Sequence, residues 1–380
     1  MVRHIIAKKN IHSEKYDFVF AMSVLLLFGV GFATLYSGSI HYAQRFFDNH
    51  LYFVGKQIKH FIAGIAAMMI FLFIDFSTIR KMLPVIMLIT LVLCLLPFVP
   101  GIGEERNGAS RWVNIAGFMF QPSELLKLSL ILFLANFFDK KNGNYDQPLL
   151  SVITPFIIIS GFSFLVYLEN DFSSSMFIFF IGALMFFIAN VPIWWFIKGF
   201  LSFAPIFILM IITKEYRMER ILSFLDPSRS PLDSGFQIQA ALNALTSGGV
   251  WGLGLGNGLR KIASVPEIYS DFIFVVWAEE MGFIGVLFYL ALLAFFAVFG
   301  YRIAFGCKNR FGAYAAFGAV SCIVSQSLVN CAVVSKMIPA TGIPLPFFSS
   351  GGSSLVVTFC LCGLILNASG YVNKKENMDG

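Results

Sequence analysis

Charge is what this 380-residue sequence has least of. Asp, Glu, Lys and Arg make up 13% of it, about half the share of roughly 25% found in soluble domains. Hydrophobic residues make up 58%, before the 32 glycines are counted. A water-soluble fold of this length needs far more polar surface to cover one core. A soluble enzyme, a disordered chain and a coiled coil are therefore excluded, which leaves a polytopic membrane protein. The formal net charge of +6 is small and dispersed, so no nucleic acid partner is expected. Histidine is scarce as well: His4, His12, His41, His50 and His60 are scattered near the N-terminal end and read as surface or interfacial residues. All six cysteines except Cys307 fall within apolar runs. They read as small buried hydrophobes, neither a disulfide framework nor a metal site. No His-Glu metal cluster and no Ser-His-Asp order is present.

What is there is a series of uncharged runs. Residues 18–44, 82–103, 147–168, 172–197, 281–301, 311–335 and 337–373 contain no Asp, Glu, Lys or Arg, and each can hold a span of about 20 residues. Three more apolar segments carry a charge near one end. Asn190-Val191-Pro192 divides the stretch 172–213 into two spans. The expectation is an all-α domain over 1–380 with ten transmembrane helices. They fall at about 18–37, 55–75, 82–100, 123–138, 149–168, 172–190, 193–213, 272–302, 312–334 and 350–371. Basic residues before the first run (Arg3, Lys8, Lys9, Lys15) and no convincing cleavage site make that run a retained anchor. Lys and Arg favour both termini in the cytoplasm: 13 lie on that side against seven on short outer loops and span edges. The six in 214–271 are set aside, because long loops translocate largely regardless of charge. Two outer loops, 100–122 and 214–271, are long, and with no soluble domain elsewhere any chemistry belongs where these loops meet the span ends.

Within that frame a few residues can carry chemistry. Asp271 is the last charge before the eighth span. Beside low dielectric it reads either as a proton acceptor with a raised pKa or as the N-cap of the following helix. Glu279 and Glu280 lie deeper in that span, where acids are costly and usually functional. Glu279 is rotated about 80° from Asp271 and Glu280 lies on the opposite side. A buried contact to another span is the better reading of Glu280. Asp171, in Glu169-Asn170-Asp171, is a second acid in a short outer turn, where turn and cap roles are the simpler reading. Glu124 and Lys127 stand three apart and can pair at the membrane edge. Arg217 and Arg220, and separately Arg260-Lys261, could hold an anionic headgroup such as a pyrophosphate, or snorkel at the interface. The run Gly248–Gly258 lacks the Lys-Ser/Thr of a phosphate loop, and its glycines suit turns and close backbone approach. Residues 234–259 read as loop with a short helix. Pro339, Pro344 and Pro346 forbid a regular helix before the last span, which suggests a re-entrant element closing a cavity.

Four separated motifs resemble the SEDS family of bacterial cell-wall polymerases, the FtsW/RodA/SpoVE proteins. They are Arg111-Trp112 with Gln121-Pro122-Ser123-Glu124-Leu125 and Lys127; Arg220-Ile221, Phe224-Leu225-Asp226-Pro227 and Ser234-Gly235-Phe236-Gln237; Pro266-Glu267, Asp271-Phe272-Ile273-Phe274 and Glu279-Glu280-Met281-Gly282; and Pro344-Leu345-Pro346 with Ser349 and Gly351-Gly352-Ser353. They span about residues 17–370 in the family's order. Gly252-Leu253-Gly254-Leu255-Gly256-Asn257 and Trp112-Val113-Asn114-Ile115 look more like the FtsW branch than the RodA branch. The chain departs from the family at Asn170-Asp171-Phe172-Ser173-Ser174, at Tyr269-Ser270 and at Ser350, without losing an acid. The resemblance implies a peptidoglycan glycosyltransferase that polymerises lipid II on the outer face of the cytoplasmic membrane, in septal wall synthesis. It implies Asp271 as the general base. Arg111, Lys127, Arg217, Arg220, Gln237, Lys261, Glu279 and Ser349 would contact substrate. No protein metal cage is evident, and a Mg or Mn ion could neutralise the leaving pyrophosphate. A class B penicillin-binding transpeptidase and other divisome proteins are the implied partners. An elongation-type polymerase and a lipid II transporter are the alternatives.

Overall fold

Helices make up most of the described residues of the computed structural model. It describes residues 17–106, 109–115, 118–141, 152–192, 194–195, 198–199, 201, 205, 209–210, 212–226, 234–258 and 269–372. In chain order the elements are α1 (Phe18–Phe47), α2 (Tyr52–Phe73), α3 (Phe76–Leu95), β1 (Gly103–Arg106), β2 (Ala109–Ile115), β3 (Phe118–Phe120), α4 (Pro122–Lys141), α5 (Thr154–Leu168), α6 (Phe172–Ile188), α7 (Glu215–Leu225), α8 (Ser234–Gly248), α9 (Ile273–Gly306), α10 (Arg310–Val334) and α11 (Gly352–Ser369). Among the described residues six helices are long and apolar enough to cross a membrane: α1, α2, α9, α10, α11 and α3 with the 3₁₀ turn that extends it to Phe98. Helices α5 and α6 are apolar but shorter. The chain is thus a multi-pass, mostly helical membrane protein. The expected seventh span, 193–213, lies mostly outside the described residues.

Burial divides the helices into two kinds. Along α1, α2, α3 and α9, side chains such as Leu25, Ile62, Leu88, Phe283 and Phe288 are exposed, as lipid-facing surfaces are. In contrast α4, α10 and α11 are buried nearly all round and form the centre. Helix α3 begins at Phe76, earlier than the uncharged run that starts at 82, and so carries Arg80 and Lys81. Arg80 is held there by Asp139 of α4 at 2.7 Å and by Asn136 at 3.1 Å.

Both long loops hold regular structure. Strands β1, β2 and β3 of the first loop form an antiparallel sheet in the order β1-β2-β3. The short helix expected within 234–259 is α8, which runs for 15 residues up to the glycine-rich loop. The glycines then serve α9. That helix breaks at Gly282, whose φ is 63°. The glycine-rich loop repairs the break: Leu253 and Gly254 N–H donate to the carbonyls of Glu279 and Glu280, and Phe283 and Ile284 N–H donate to those of Gly249 and Val250, at 2.9–3.2 Å. Any side chain at Gly252 would collide with the Glu280 carbonyl, so glycine is required there.

Candidate active site at one end of the bundle

Asp171 and Asp271 each end a short turn that leads into a helix, yet their side chains do different things. Asp171 is the N-cap of α6: it accepts from Ser174 N at 3.1 Å and Ser174 Oγ at 2.8 Å. Gln121 Nε2 donates to it at 3.0 Å, and Arg111 Nη1 stands 3.9 Å away. The cap position of α9, by contrast, is Phe272, with no side-chain cap bond. Asp271 is left out of the helix and accepts from Ser270 Oγ at 2.9 Å. Of the two readings of Asp271, the cap has no hydrogen bond in the structure.

A cavity of about 720 Å³ lies beside these turns. One wall is apolar, from Phe172, Met176, Phe177 and Phe180 of α6. Cationic groups also line the cavity: Arg111 of β2, Lys214, and Arg217 and Arg220 of α7. The irregular segment between α10 and α11 contributes Ile338–Thr341 and Ile343, the role its prolines suggested. Arg217 is buried, donates to the Met210 carbonyl at 2.6 Å, and lies over the Tyr167 and Phe172 rings at 4.4 and 5.2 Å. Arg220 Nη1 donates to the Ala340 carbonyl at 3.0 Å. Asp271 does not itself line the cavity; it faces Gly342, whose neighbours Thr341 and Ile343 do. A methyl group placed on Gly342 would sit 3.3 Å from Asp271 Oδ2 and 3.9 Å from Arg111 Nη1. The carboxylate and the guanidinium therefore face the same gap, kept open by a residue whose φ of 73° also favours glycine.

Electrostatics set the protonation of these acids. Burial pushes the Asp271 carboxyl above its usual range. The Ser270 hydroxyl, then Arg111 and Arg220, oppose that rise, and Asp171 adds to it. Two residues before Asp171, Glu169 is fully buried and neither carboxyl oxygen has a donor. Burial, reinforced by Asp171, pushes it up to about 9, so it keeps its proton at neutral pH.

The remaining expected site residues divide by location. Lys127 is buried, paired with Glu124 Oε2 at 2.8 Å, and donates to Gln326 Oε1 at 2.8 Å, with the ring of the cavity-lining Phe177 5.5 Å away. Ser349 is buried behind Asp271: its Oγ donates to the Ser270 carbonyl at 2.6 Å and accepts from Leu345 N at 2.8 Å. Glu279 is buried toward α8, where Ser247 Oγ donates to it at 3.2 Å. Glu280 accepts from Ser37 Oγ of α1 at 2.5 Å, the contact between spans expected of it. Gln237 is on α8 and half-buried, and neither it nor Glu279 lines the cavity. Lys261 lies outside the described residues. Glu169, Gln121, Gly342 and Asn330 were not anticipated. Asn330 had a signal: with Gln326 it makes a polar i,i+4 pair on one face of an apolar span.

Among the described residues no group of three or more His, Cys, Asp or Glu side chains is arranged as a cation's ligands. The two acids nearest the cavity have arginine neighbours: Arg111 stands 3.9 Å from Asp171, and Arg111 and Arg220 act on Asp271.

Comparison with known proteins agrees over nearly the whole chain. The family model for the cell cycle proteins FtsW, RodA and SpoVE matches residues 17–374. A probable peptidoglycan glycosyltransferase FtsW from Geobacter sp. (strain M18) is 36% identical over 94% of this chain and 97% of its own length. Stage V sporulation protein E of Bacillus subtilis (strain 168) is 35% identical over 93% of this chain and 97% of its own. Among solved structures, a chain of a peptidoglycan synthase complex that coordinates polymerization and crosslinking is 26% identical, with a TM-score of 0.77 over 94% of this chain and 98% of that one. The rod shape determining protein RodA of Thermus thermophilus, 22% identical, shares the fold with a TM-score of 0.70 over 96% and 99% of the two chains. This chain belongs to the FtsW/RodA/SpoVE family of cell cycle proteins.

Proposed function

We propose that the chain is a peptidoglycan glycosyltransferase that joins lipid-linked disaccharide-pentapeptide (lipid II) into glycan strands. The observation that carries this reading is Asp271 facing Arg111 across Gly342, beside a cavity lined by both apolar and cationic side chains. Such a cavity suits an amphiphile: the prenyl chain lies along α6, and the pyrophosphate is held by Arg111, Arg217 and Arg220. In the transfer step the acceptor sugar hydroxyl gives its proton to the Asp271 carboxylate. Its oxygen forms the bond to the donor's anomeric carbon while the bond from that carbon to the pyrophosphate oxygen breaks. The arginines hold the charge that develops on the departing undecaprenyl pyrophosphate. A carboxyl that desolvation holds above its ordinary range is a stronger base once ionised, which suits this role. No step is routed through a divalent cation. Gln237, Lys261 and Glu279 have no assigned part in it, and Lys127 and Ser349 act from behind the cavity wall.

The same reading places the site on the outer face of the bacterial inner membrane, in a chain of ten spans with cytoplasmic termini. The naming of the relatives supports a septal role, as one of the divisome proteins. The likeness to a chain of a peptidoglycan synthase complex supports a class B penicillin-binding protein as partner. The test is to purify the chain with such a transpeptidase, supply labelled lipid II and look for glycan ladders. Ladders that vanish in Asp271→Ala are expected. Ladders that persist in that variant would remove the base. Protein-dependent flipping in vesicles without ladders would make the chain a transporter. A fluorescent fusion at midcell rather than along the sidewall separates division from elongation.

A further inference from the structure

The turn that ends at Asp271 and the segment that carries Gly342 are both irregular, so their carbonyl groups have no helix to satisfy them. One side chain serves both. Asn330 of α10 is 1% exposed, and its Nδ2 donates to the Asp271 carbonyl at 2.8 Å and to the Ile343 carbonyl at 2.9 Å. The orientation is forced, because turning the amide over would set its oxygen against two carbonyls. One helical turn earlier Gln326 Nε2 donates to the Pro344 carbonyl at 2.9 Å, which anchors the same segment again. The Ser349 hydroxyl holds the carbonyl just before Asp271. Ser350 N–H donates to the Tyr269 carbonyl at 2.9 Å, so three consecutive carbonyls are pinned, and Asn330 is the side chain that holds the carbonyl of the acid itself and ties it to the Gly342 segment.

We propose that Asn330 is a positioning residue for the Asp271 carboxylate, fixing it against the Gly342 gap and hence against the acceptor hydroxyl. This rests on the reading of Asp271 as the base. A purely structural alternative can be tested with a control supplied by the molecule itself. Asn367 of α11 makes the same clamp elsewhere: fully buried, its Nδ2 donates to the Phe71 and Ile74 carbonyls at 2.8 and 2.7 Å, at the end of α2. In both residues the amide oxygen has no partner. If Asn330 matters only to the fold, Asn330→Ala and Asn367→Ala should behave alike.

The experiment measures kcat, KM for lipid II and thermal midpoint for Asn330→Ala, Asn330→Gln and Asn367→Ala in the complex with the transpeptidase, with Asp271→Asn alongside. Both Asn330 variants are expected to lose kcat by about 10- to 100-fold, the scale of a misplacement of about 1 Å, with KM within about two-fold of wild type. Asn367→Ala is expected to lower the thermal midpoint as Asn330→Ala does while keeping kcat. Wild-type kcat in the Asn330 variants, or activity falling in step with thermal stability in both asparagines, would overturn the proposal. If Asn330→Ala does not fold, Asn330→Gln decides on the same readouts. An inactive Asp271→Asn beside a wild-type Asn330→Ala removes this proposal alone. A fully active Asp271→Asn removes the base and this proposal with it.

Discussion

The turn at Asp171 and the turn at Asp271 look alike in sequence: each is the last acid before an apolar helix. In the structure the first is saturated and the second is not. Asp171 accepts from a backbone amide, a hydroxyl and a glutamine amide, and has an arginine near it. Asp271 accepts from one hydroxyl and faces Gly342, with Arg111 on the far side. A carboxylate whose lone pairs are used holds structure together, whereas one with unused capacity beside a cavity can accept a proton. The lesson is that position before a span does not define a role; the number of donors already aimed at the acid does.

That contrast can be broken in several ways. The largest expected effect is from Asp271→Ala, which should lower the rate of glycan formation by about 10²- to 10⁴-fold, the usual contribution of a general base, while lipid II binding persists. Next comes Arg111→Ala. Arg111 lowers the Asp271 pKa, so its loss raises that pKa further and moves the acid limb of the pH–rate profile to higher pH. An unmoved limb would show that Arg111 does not face the base. Smaller is Asp171→Ala, which removes the α6 cap and should cost about 1 kcal/mol of stability, read as a lower thermal midpoint, with part of the activity retained. The smallest effect on rate is from Glu169→Gln, which mimics the protonated acid. Its signature is in stability. A carboxyl whose folded pKa is raised to about 9 contributes stability that is full below the unfolded pKa and is lost as pH rises through that window. Thermal midpoints from pH 5 to 9 should therefore fall in wild type relative to Glu169→Gln, and parallel curves would contradict the assignment.

How much of this was legible beforehand follows from the same physics. Uncharged runs marked most helices, because desolvating a charge inside a membrane is costly. The rule failed at Arg80, where a partner on α4 removes the cost and lets the helix start early. Composition marked 234–259 as loop with a short helix; the helix is there and runs for 15 residues, its Ser, Asn and Gln decorating a helix that packs on α9. The glycine run was read for close approach, but only the structure reveals that it repairs a broken helix. At the site, Asp271, Arg111, Arg217 and Arg220 were legible as charges that need a reason to be where they are. Glu279 was legible as an acid but not in direction, since a heptad-scale angle cannot tell which neighbour a face meets. Gly342 and Asn330 were nearly silent: one acts by lacking a side chain, the other through main-chain carbonyls 59 and 13 residues away.

The central claim is that the two acids differ in kind, and one paired measurement tests it: glycan ladders from labelled lipid II by Asp271→Asn and Asp171→Asn, each in complex with the transpeptidase. Asparagine can still cap α6 at 171 but cannot take a proton at 271. The account predicts ladders from the Asp171 variant and none from the Asp271 variant, with both folded and both binding lipid II. Ladders from Asp271→Asn, or their loss only in Asp171→Asn, would contradict it.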